Sequence, residues 1–492
     1  MSSMKPLYSA AQVKSGEVKA AKAKSVAMYE LMLRAGSEVF EVMRHQYPNC
    51  KRLLVVCGGG NNGGDGYVVA RLALEAGIEV SVWQSVAKDK LSGDALTAYH
   101  DYLAVGGSVE APDFSKELDA DCIVDAILGT GLTGSVRADT AQLIEYLNHS
   151  GIKIISVDLP SGLSSDTGRS LGVSVKALHT VSFIGLKCGL FTAQARDFTG
   201  DVHFRGLGVD DEFDKQNTPK AHLLTTVSDF APLLRRNKSA HKGHHGKALI
   251  IGGHQGMGGA SLLSSQACMR VGAGLTALLT HPDNTIASTI ACPEVMASSW
   301  QDKTSVEFRL SQWCDCVAIG PGLGTDSHSK RMFDKVCTSE VNKVLDADAL
   351  NLLAANPNRD NQRILTPHPA EAARLLECSV DNIEHDRYLA VEKLYGRYGG
   401  VIVLKGAGTL IFDGKHTYVC NAGNPGMATA GMGDVLTGVI VGLLAQGESL
   451  VSAAVKGVMI HSLAADRDAR HKGERGLCAS DLLPHIRFLA ND

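Results

Sequence analysis

The sequence predicts an α/β protein of two domains, each a parallel sheet with helices on both faces. Three observations predict it. At 492 residues the chain is roughly three times the length of a typical domain. Apolar, β-branched runs alternate with helix-compatible stretches through both halves. A polar stretch over 209–245, carrying VDDEFDKQNTPK and RRNKSAHKGHHGK, separates the halves and reads as a linker or an entry loop. The domains expected from this are 1–215 and 225–492.

In chain order, helix spacing runs from about Val18 to Met43 with an interruption expected near Gly36. Strand Arg52–Cys57 follows, then a glycine-rich loop and a helix over Tyr67–Ala76. Further strands are predicted at Ile78–Trp83, Cys122–Leu128, Lys153–Val157 and Val181–Ile184. Beyond the linker the pattern restarts with strand Ala248–Ile251 and a helix over Ala260–Val271. Strands follow at Leu275–Thr280, Cys316–Ile319, Val344–Asp346 and Ile402–Leu404. Leu410 to Val419 reads as a hairpin turning at Asp413-Gly414. Helices over Asp434–Ala445 and Leu450–Arg467 close the chain. The motifs of the two halves differ, so this is a fusion of unlike domains rather than a duplication.

Composition narrows the function. The chain is 45% hydrophobic and 20% charged, with 52 Gly and only 14 Pro, which excludes disordered and collagen-like chains. Lys and Arg total 48 against 52 Asp and Glu, so no global positive field exists to hold nucleic acid or an anionic membrane. The 12 Cys stand singly in apolar stretches, without any C-x-x-C, as reduced buried thiols do. The N-terminus has no apolar h-region, and the run Val435 to Ala445 is too short to span a bilayer. A cytoplasmic protein with small-molecule partners, assembled as a homo-oligomer, is expected.

The first half carries Cys57-Gly-Gly-Gly-Asn-Asn-Gly-Gly-Asp-Gly66 between a strand and a helix. Gly58, Gly60 and Gly63 match G-x-G-x-x-G formally, yet Asp65 puts a carboxylate beside the phosphate position and no acid closes the second strand at Trp83-Gln84. The motif is either a ligand loop or a tight strand-to-helix turn. Asp125 in VDAILGTG and Asp158 in VDLPSG each follow an apolar run, where a carboxylate is either a helix cap or part of a site. In a parallel sheet all three loops share the C-terminal strand ends, where ligands collect.

LMLRAG (31–36), GGGNNGGDG, DAILGTG and VDLPSG together resemble the YjeF N-terminal family of NAD(P)H-hydrate epimerases over about 1–215. The resemblance implies a Rossmann-like three-layer fold and a bound K+ held by Asn62 (or its neighbour Asn61), Asp125 and Ser161, oxygen donors that suit a hard cation. It implies hydrate contacts from Asn61, Asn62, Gly63, Gly64 and Asp65, and from Gly129, Thr130, Gly131, Leu132, Thr133, Gly134 and Ser135. Asp158 is implied as the acid/base group beside the epimerised carbon.

In the second half three clustered His in HKGHHG lack a metal-binding spacing, and no P-loop occurs. Glycine-rich turns appear instead at Gly252–Ala260 and Gly320–Gly324, followed by LDADALN, LTPHPAE, KGAGT and NPGMATAGMGD. The last opens an apolar helix whose free amides suit a transferring phosphoryl group. Asp434 just inside it is either a cap or a base for the accepting hydroxyl. These motifs resemble the ribokinase-like superfamily, and within it the YjeF C-terminal family of NAD(P)H-hydrate dehydratases. By position, the resemblance implies hydrate contacts from Ala260, Gly322, His368 and Asp434. It implies nucleotide contacts from Lys405, Gly406, Ala407, Gly408, Thr409 and Gly433.

The two resemblances imply a metabolite-repair enzyme acting on the hydrated forms of NADH and NADPH. The first domain would interconvert the R and S hydrates, and the second would dehydrate the S form with ADP (or ATP), together with Mg2+, giving AMP and phosphate from ADP. The alternatives are a vitamin or sugar kinase fused to a nucleotide-binding domain, and a nucleotide-sensing module without turnover.

Overall fold

In strand β1 (Arg52–Cys57) Leu53, Val55 and Cys57 point to one side, Leu54 and Val56 to the other, and all five are buried. Apolar on both faces is what a parallel sheet between two helix layers requires. The computed structural model describes residues 4–115, 117–230, 233 and 235–491. The chain divides into a unit over Pro6–Ala221 and a second over His222–Asp492 that also takes in Met4 and Lys5.

The first unit adds β2 (Glu79–Gln84), β3 (Val109–Glu110), β4 (Cys122–Ala126), β5 (Lys153–Val157), β6 (His179–Phe183) and β7 (Asp201–Arg205). All pair in parallel in the order β3-β2-β1-β4-β5-β6-β7. The order reverses at β1, so the loops after β1 and β4 part there and open a crevice at the C-terminal strand ends. Helices α1 (Ala10–Ala23), α2 (Met28–Gln46) and α3 (Asn61–Glu75) cover one face, and Ala138–His149 packs Leu143, Ile144 and Leu147 on the other.

Two expectations are corrected here. The helical break falls at 24–27, not near Gly36, which lies inside α2. A Cβ on Gly36 would sit 2.5 Å from the Val68 side chain, so this glycine serves the approach of α2 to α3. The polar stretch over 209–245 is not a bare linker. It contains a helix, Asp210–Gln216, anchored by fully buried Phe213, and strand β8 (Ala221–Leu224).

The second unit contains β9 (Lys247–Ile251), β10 (Leu275–Thr280), β11 (Met296–Ser299), β12 (Cys316–Ile319), β13 (Asn342–Leu345), β14 (Arg363–Leu365), β15 (Val401–Leu404), β16 (Thr409–Phe412) and β17 (Thr417–Cys420). Their order is β11-β10-β9-β12-β13-β14-β15-β16-β17-β8. All pairs are parallel except the β15–β16–β17 meander, whose second turn is the predicted hairpin. The order again reverses at the first strand of the series, between β9 and β12. Helices α4 (Gly258–Val271), α5 (Pro369–Leu376), α6 (Met432–Ala445) and α7 (Leu450–Lys472) flank the sheet. Helix α6 is buried along nearly all its length and sits in the main core with Ile250, Ala318 and Val344. Among the described residues no helix is long and apolar enough to cross a membrane.

Candidate active sites

At the first reversal point lies a cleft of 640 Å³ whose walls include Asn61, Asn62, Asp65, Gly129, Thr130, Gly131, Leu132, Thr133, Ser135 and Asp158. Three of the expected contacts stand outside those walls. Gly63 is pressed against the Gly58 carbonyl, Gly64 against Met32, and Gly134 turns away at a φ of +76°. A Cβ on Gly58 would fall 1.9 Å from the Ile127 carbonyl, and one on Gly63 2.0 Å from that of Gly58. Those two glycines let the turn close on itself.

Asp125 and Ser161 meet at the floor. The fully buried Asp125 carboxylate accepts from Ser156 Oγ at 2.7 Å and from Ser161 N and Oγ at 2.9 and 2.6 Å. Burial raises its pKa above the usual carboxylate range, and the donors pull it back. It caps no helix, and among the described residues no cationic side chain pairs with it. The Nδ2 of Asn62 is buried without a hydrogen-bond partner. No three His, Cys, Asp or Glu of the described residues gather as metal ligands.

Asp158 follows β5 at a φ of +65°, a backbone conformation that side-chain-bearing residues avoid. It also caps nothing. Its Oδ1 is ion-paired with Lys187 Nζ, whose side chain is 1% exposed and which donates in addition to Phe183 O at 3.1 Å and Ser182 Oγ at 3.3 Å. Asp65 faces this pair. Burial, then the charges of Asp158 and Glu17, push its carboxyl well above the ordinary range.

At the second reversal point the loops after β9 and β12 bring Ala260 and Gly322 together. A Cβ on Gly322 would lie 3.3 Å from that of Ala260. Three strands further along, Lys405 extends from the end of β15 to Asp346 Oδ1 at 2.8 Å and Glu371 Oε2 at 3.7 Å. Asp346 is fixed by Thr366 Oγ1 and Thr437 Oγ1, both at 2.8 Å. Burial works against the charge on Lys405, but Asp346 and Glu371 outweigh it and raise the pKa of the amine. From beneath the Lys405–Thr409 loop, buried Arg387 donates to the Leu404 and Lys405 carbonyls at 3.1 Å. His368 N-caps α5, its Nδ1 accepting from Ala370 N at 3.1 Å, with Nε2 3.4 Å from Glu371.

Asp434 occupies the first turn of α6. Gly431, at a φ of +90°, is the N-cap, and no hydrogen bond joins the Asp434 carboxylate to another described residue, so the cap reading has no support. Burial and then the charge of Asp346 push Asp434 up to about 7, against the pull of Lys405. Gly433 stands beside Lys405; a Cβ there would be 3.3 Å from Nζ.

Four charged residues at these sites were not singled out from the sequence. Asp346 and Glu371 stood inside motifs already noted, LDADALN and LTPHPAE. Lys187 and Glu17 lie in no motif, and only folding brings them to Asp158.

Each unit therefore gathers acidic side chains and glycine-rich turns at the C-terminal ends of its strands, where α/β enzymes bind small molecules. Residues 28–189 match the family model described as YjeF-related protein N-terminus, and residues 248–487 match that described as NAD(P)H-hydrate dehydratase. The bifunctional NAD(P)H-hydrate repair enzyme of Vibrio cholerae is 50% identical over 98% of both chains. That of Escherichia coli is 43% identical over 99% of this chain and 94% of its own. A solved structure, an ADP/ATP-dependent NAD(P)H-hydrate dehydratase from Bacillus subtilis co-crystallised with ATP/Mg2+, is 30% identical, covers 52% of this chain and 93% of its own, and superposes with a TM-score of 0.49. The chain belongs to the family of bifunctional NAD(P)H-hydrate repair enzymes.

Proposed function

We propose that the first unit interconverts the R and S hydrates of NADH and NADPH, and that the second dehydrates the S form at the expense of ADP, giving AMP and phosphate. The observation that carries the dehydratase half is Asp434. It is an unbonded carboxylate poised near neutrality, beside Lys405 and the free amides of the α6 N-terminus. Asp434 takes the proton of the C6 hydroxyl as that oxygen attacks the terminal phosphorus of ADP. The C6–O bond then breaks under the push of the N1 lone pair, phosphate leaves with its oxygen, and loss of a C5 proton to the phosphate restores the ring. Phosphate leaves far more readily than hydroxide, which is why a kinase-like site suits a dehydration. Lys405 and the Gly433 amide face the nucleotide's phosphates, and Ala260, Gly322 and His368 the hydrate.

A Mg2+ bound with the nucleotide would supply charge neutralisation at its phosphates. Both Asp346 oxygens are already engaged, so that carboxylate is not set out as a dedicated cage.

In the first unit, Asp158 is the acid/base group. A K+ fits the oxygen chemistry there: the buried Asp125 carboxylate, which pairs with no cationic side chain among the described residues, the Ser161 hydroxyl and the amide oxygen of Asn62. When bound, the ion would neutralise Asp125 and fix the 127–135 loop.

The test is recovery of reduced-nicotinamide absorbance from mixed NADH hydrate epimers. Complete recovery with ADP and none without is expected. Recovery of only the S fraction would remove the epimerase, and no recovery would remove the dehydratase.

A further inference from the structure

Helix α1 precedes the stretch covered by the N-terminal family match, which begins at residue 28. Yet Glu17, on its third turn, lines the same cleft as Asp65, Asp158 and Lys187. The helix is firmly held. Ser9 and Gln12 form a capping box, Ala10 N donates to Asp166 Oδ1 at 2.7 Å, and Val13, Ala20 and Ala21 are buried. Gly16 lies so close to Phe213 that a Cβ would fall 2.4 Å from the ring. A carboxyl carried by so well-seated an element is placed, not merely nearby.

The charges facing Glu17 are the carboxylates of Asp158 and Asp65 and the amines of Lys187 and Lys14. Lys187 is committed to Asp158, and Lys14 is exposed on the same helix. Burial and then the charge of Asp158 push Glu17 up to about 7. The cleft thus pairs a lysine-bound carboxylate with a second carboxyl that keeps its proton near neutrality. Such a division assigns acid and base roles to two like groups.

We propose that Glu17 is a further catalytic residue of the epimerase cleft, the proton donor that works with Asp158. This rests on the epimerase reading above. The hydrated ring is a cyclic carbinolamine, so one exchange of protons opens it. Asp158 takes the proton of the C6 hydroxyl, the C6–N1 bond breaks with its electrons going to N1, and N1 takes the proton of Glu17. C6 becomes an aldehyde carbon. Rotation about C5–C6 presents its other face, N1 adds there while returning its proton to Glu17, and the oxygen recovers its own from Asp158. No proton or electron is gained or lost.

The experiment uses the full chain with pure R-hydrate of NADH and ADP, with the spontaneous epimerisation rate subtracted. Glu17→Gln is expected to lower the epimerisation rate on the order of 100-fold or more, with S-hydrate dehydration unchanged and partial recovery in Glu17→Asp. In the wild type, kcat/KM for R-hydrate is expected to fall as pH rises through about 7, because the donor loses its proton; that falling limb vanishes in Glu17→Gln. A Gln variant turning over within a few-fold of wild type overturns the inference. So does a limb that persists in that variant, which would assign the proton to Asp65. Should Glu17→Gln fail to fold, a wild-type profile without the falling limb overturns it. Wild-type enzyme that does not accelerate epimerisation at all overturns the epimerase reading itself, a result distinct from failure of the variant alone.

Discussion

Asp158, just after β5, and Asp434, in the first turn of α6, are each the candidate acid/base carboxylate of their unit, but in opposite electrostatic settings. Asp158 is locked to a buried lysine and set on a strained backbone. The Asp434 carboxylate has no hydrogen-bonded partner among the described residues, and its neighbouring lysine is already claimed by Asp346 and Glu371. A lysine-paired carboxylate is a proton acceptor held in one place by its counter-ion. An unpaired one crowded by other carboxylates is a proton acceptor near neutrality. The difference teaches that position at a strand end does not set how a catalytic carboxylate is held; the assignment of counter-ions does.

That contrast can be broken most directly at Asp434. Asp434→Asn is expected to lower nucleotide-dependent recovery of NADH from S-hydrate on the order of 10²–10⁴-fold. The variant should still bind nucleotide and epimerise hydrate. Its melting temperature should not fall. Folding raises the Asp434 pKa, so the folded chain holds a proton that the unfolded chain has released, and stability declines as pH climbs from the ordinary carboxylate range to about 7. Above that pH the Asn variant should melt at or above wild type, and a clear loss of stability would restore a structural role. The wild-type dehydration rate should rise through about pH 7 as the base ionises, and a flat profile would remove Asp434 as the base.

Asp158→Asn should behave the other way. It leaves the buried Lys187 ammonium without its counter-charge, at a cost of about 3–5 kcal/mol to the first unit. Epimerisation should collapse while S-hydrate dehydration persists. Adding Lys187→Met should recover much of the lost stability and none of the activity, as calorimetry and R-hydrate assays would report. If the single variant melts like wild type, the ion pair is not what holds this loop.

Thr437→Val sharpens the comparison on the side of Asp346. Removing a buried hydroxyl that donates to a charged carboxylate should cost about 1.5–3 kcal/mol, without abolishing turnover. Denaturant titration would show it. The smallest effect concerns the boundary. Strand β8 pairs with β17, and Leu223 and Leu224 are buried. A fragment 225–492 lacks that strand and should melt below one beginning at 217. Equal melting would make β8 dispensable.

Much of the scaffold was legible because buried parallel strands leave a local signature. Arg52–Cys57, Lys153–Val157, Leu275–Thr280 and Cys316–Ile319 have the bounds their apolar runs predict. Helix α6 was legible for the same reason. The two-residue strand Val109–Glu110 and the strand Met296–Ser299 carry too little apolar pattern to be read. Gly36 misled because a glycine that admits a neighbouring helix looks, in one dimension, like a glycine that ends its own.

By itself the sequence determined the α/β class, the two-part organisation, the glycine-rich turns and the resemblance that pointed to NAD(P)H-hydrate repair, because each of these is written in short-range pattern. Only the tertiary structure decided which charges answer one another. Lys187 meets Asp158 from 29 residues away, Lys405 meets Asp346 from 59, and Thr437 reaches Asp346 across 91. Electrostatic energy depends on distance in space and on burial, and neither quantity exists until the sheets are assembled.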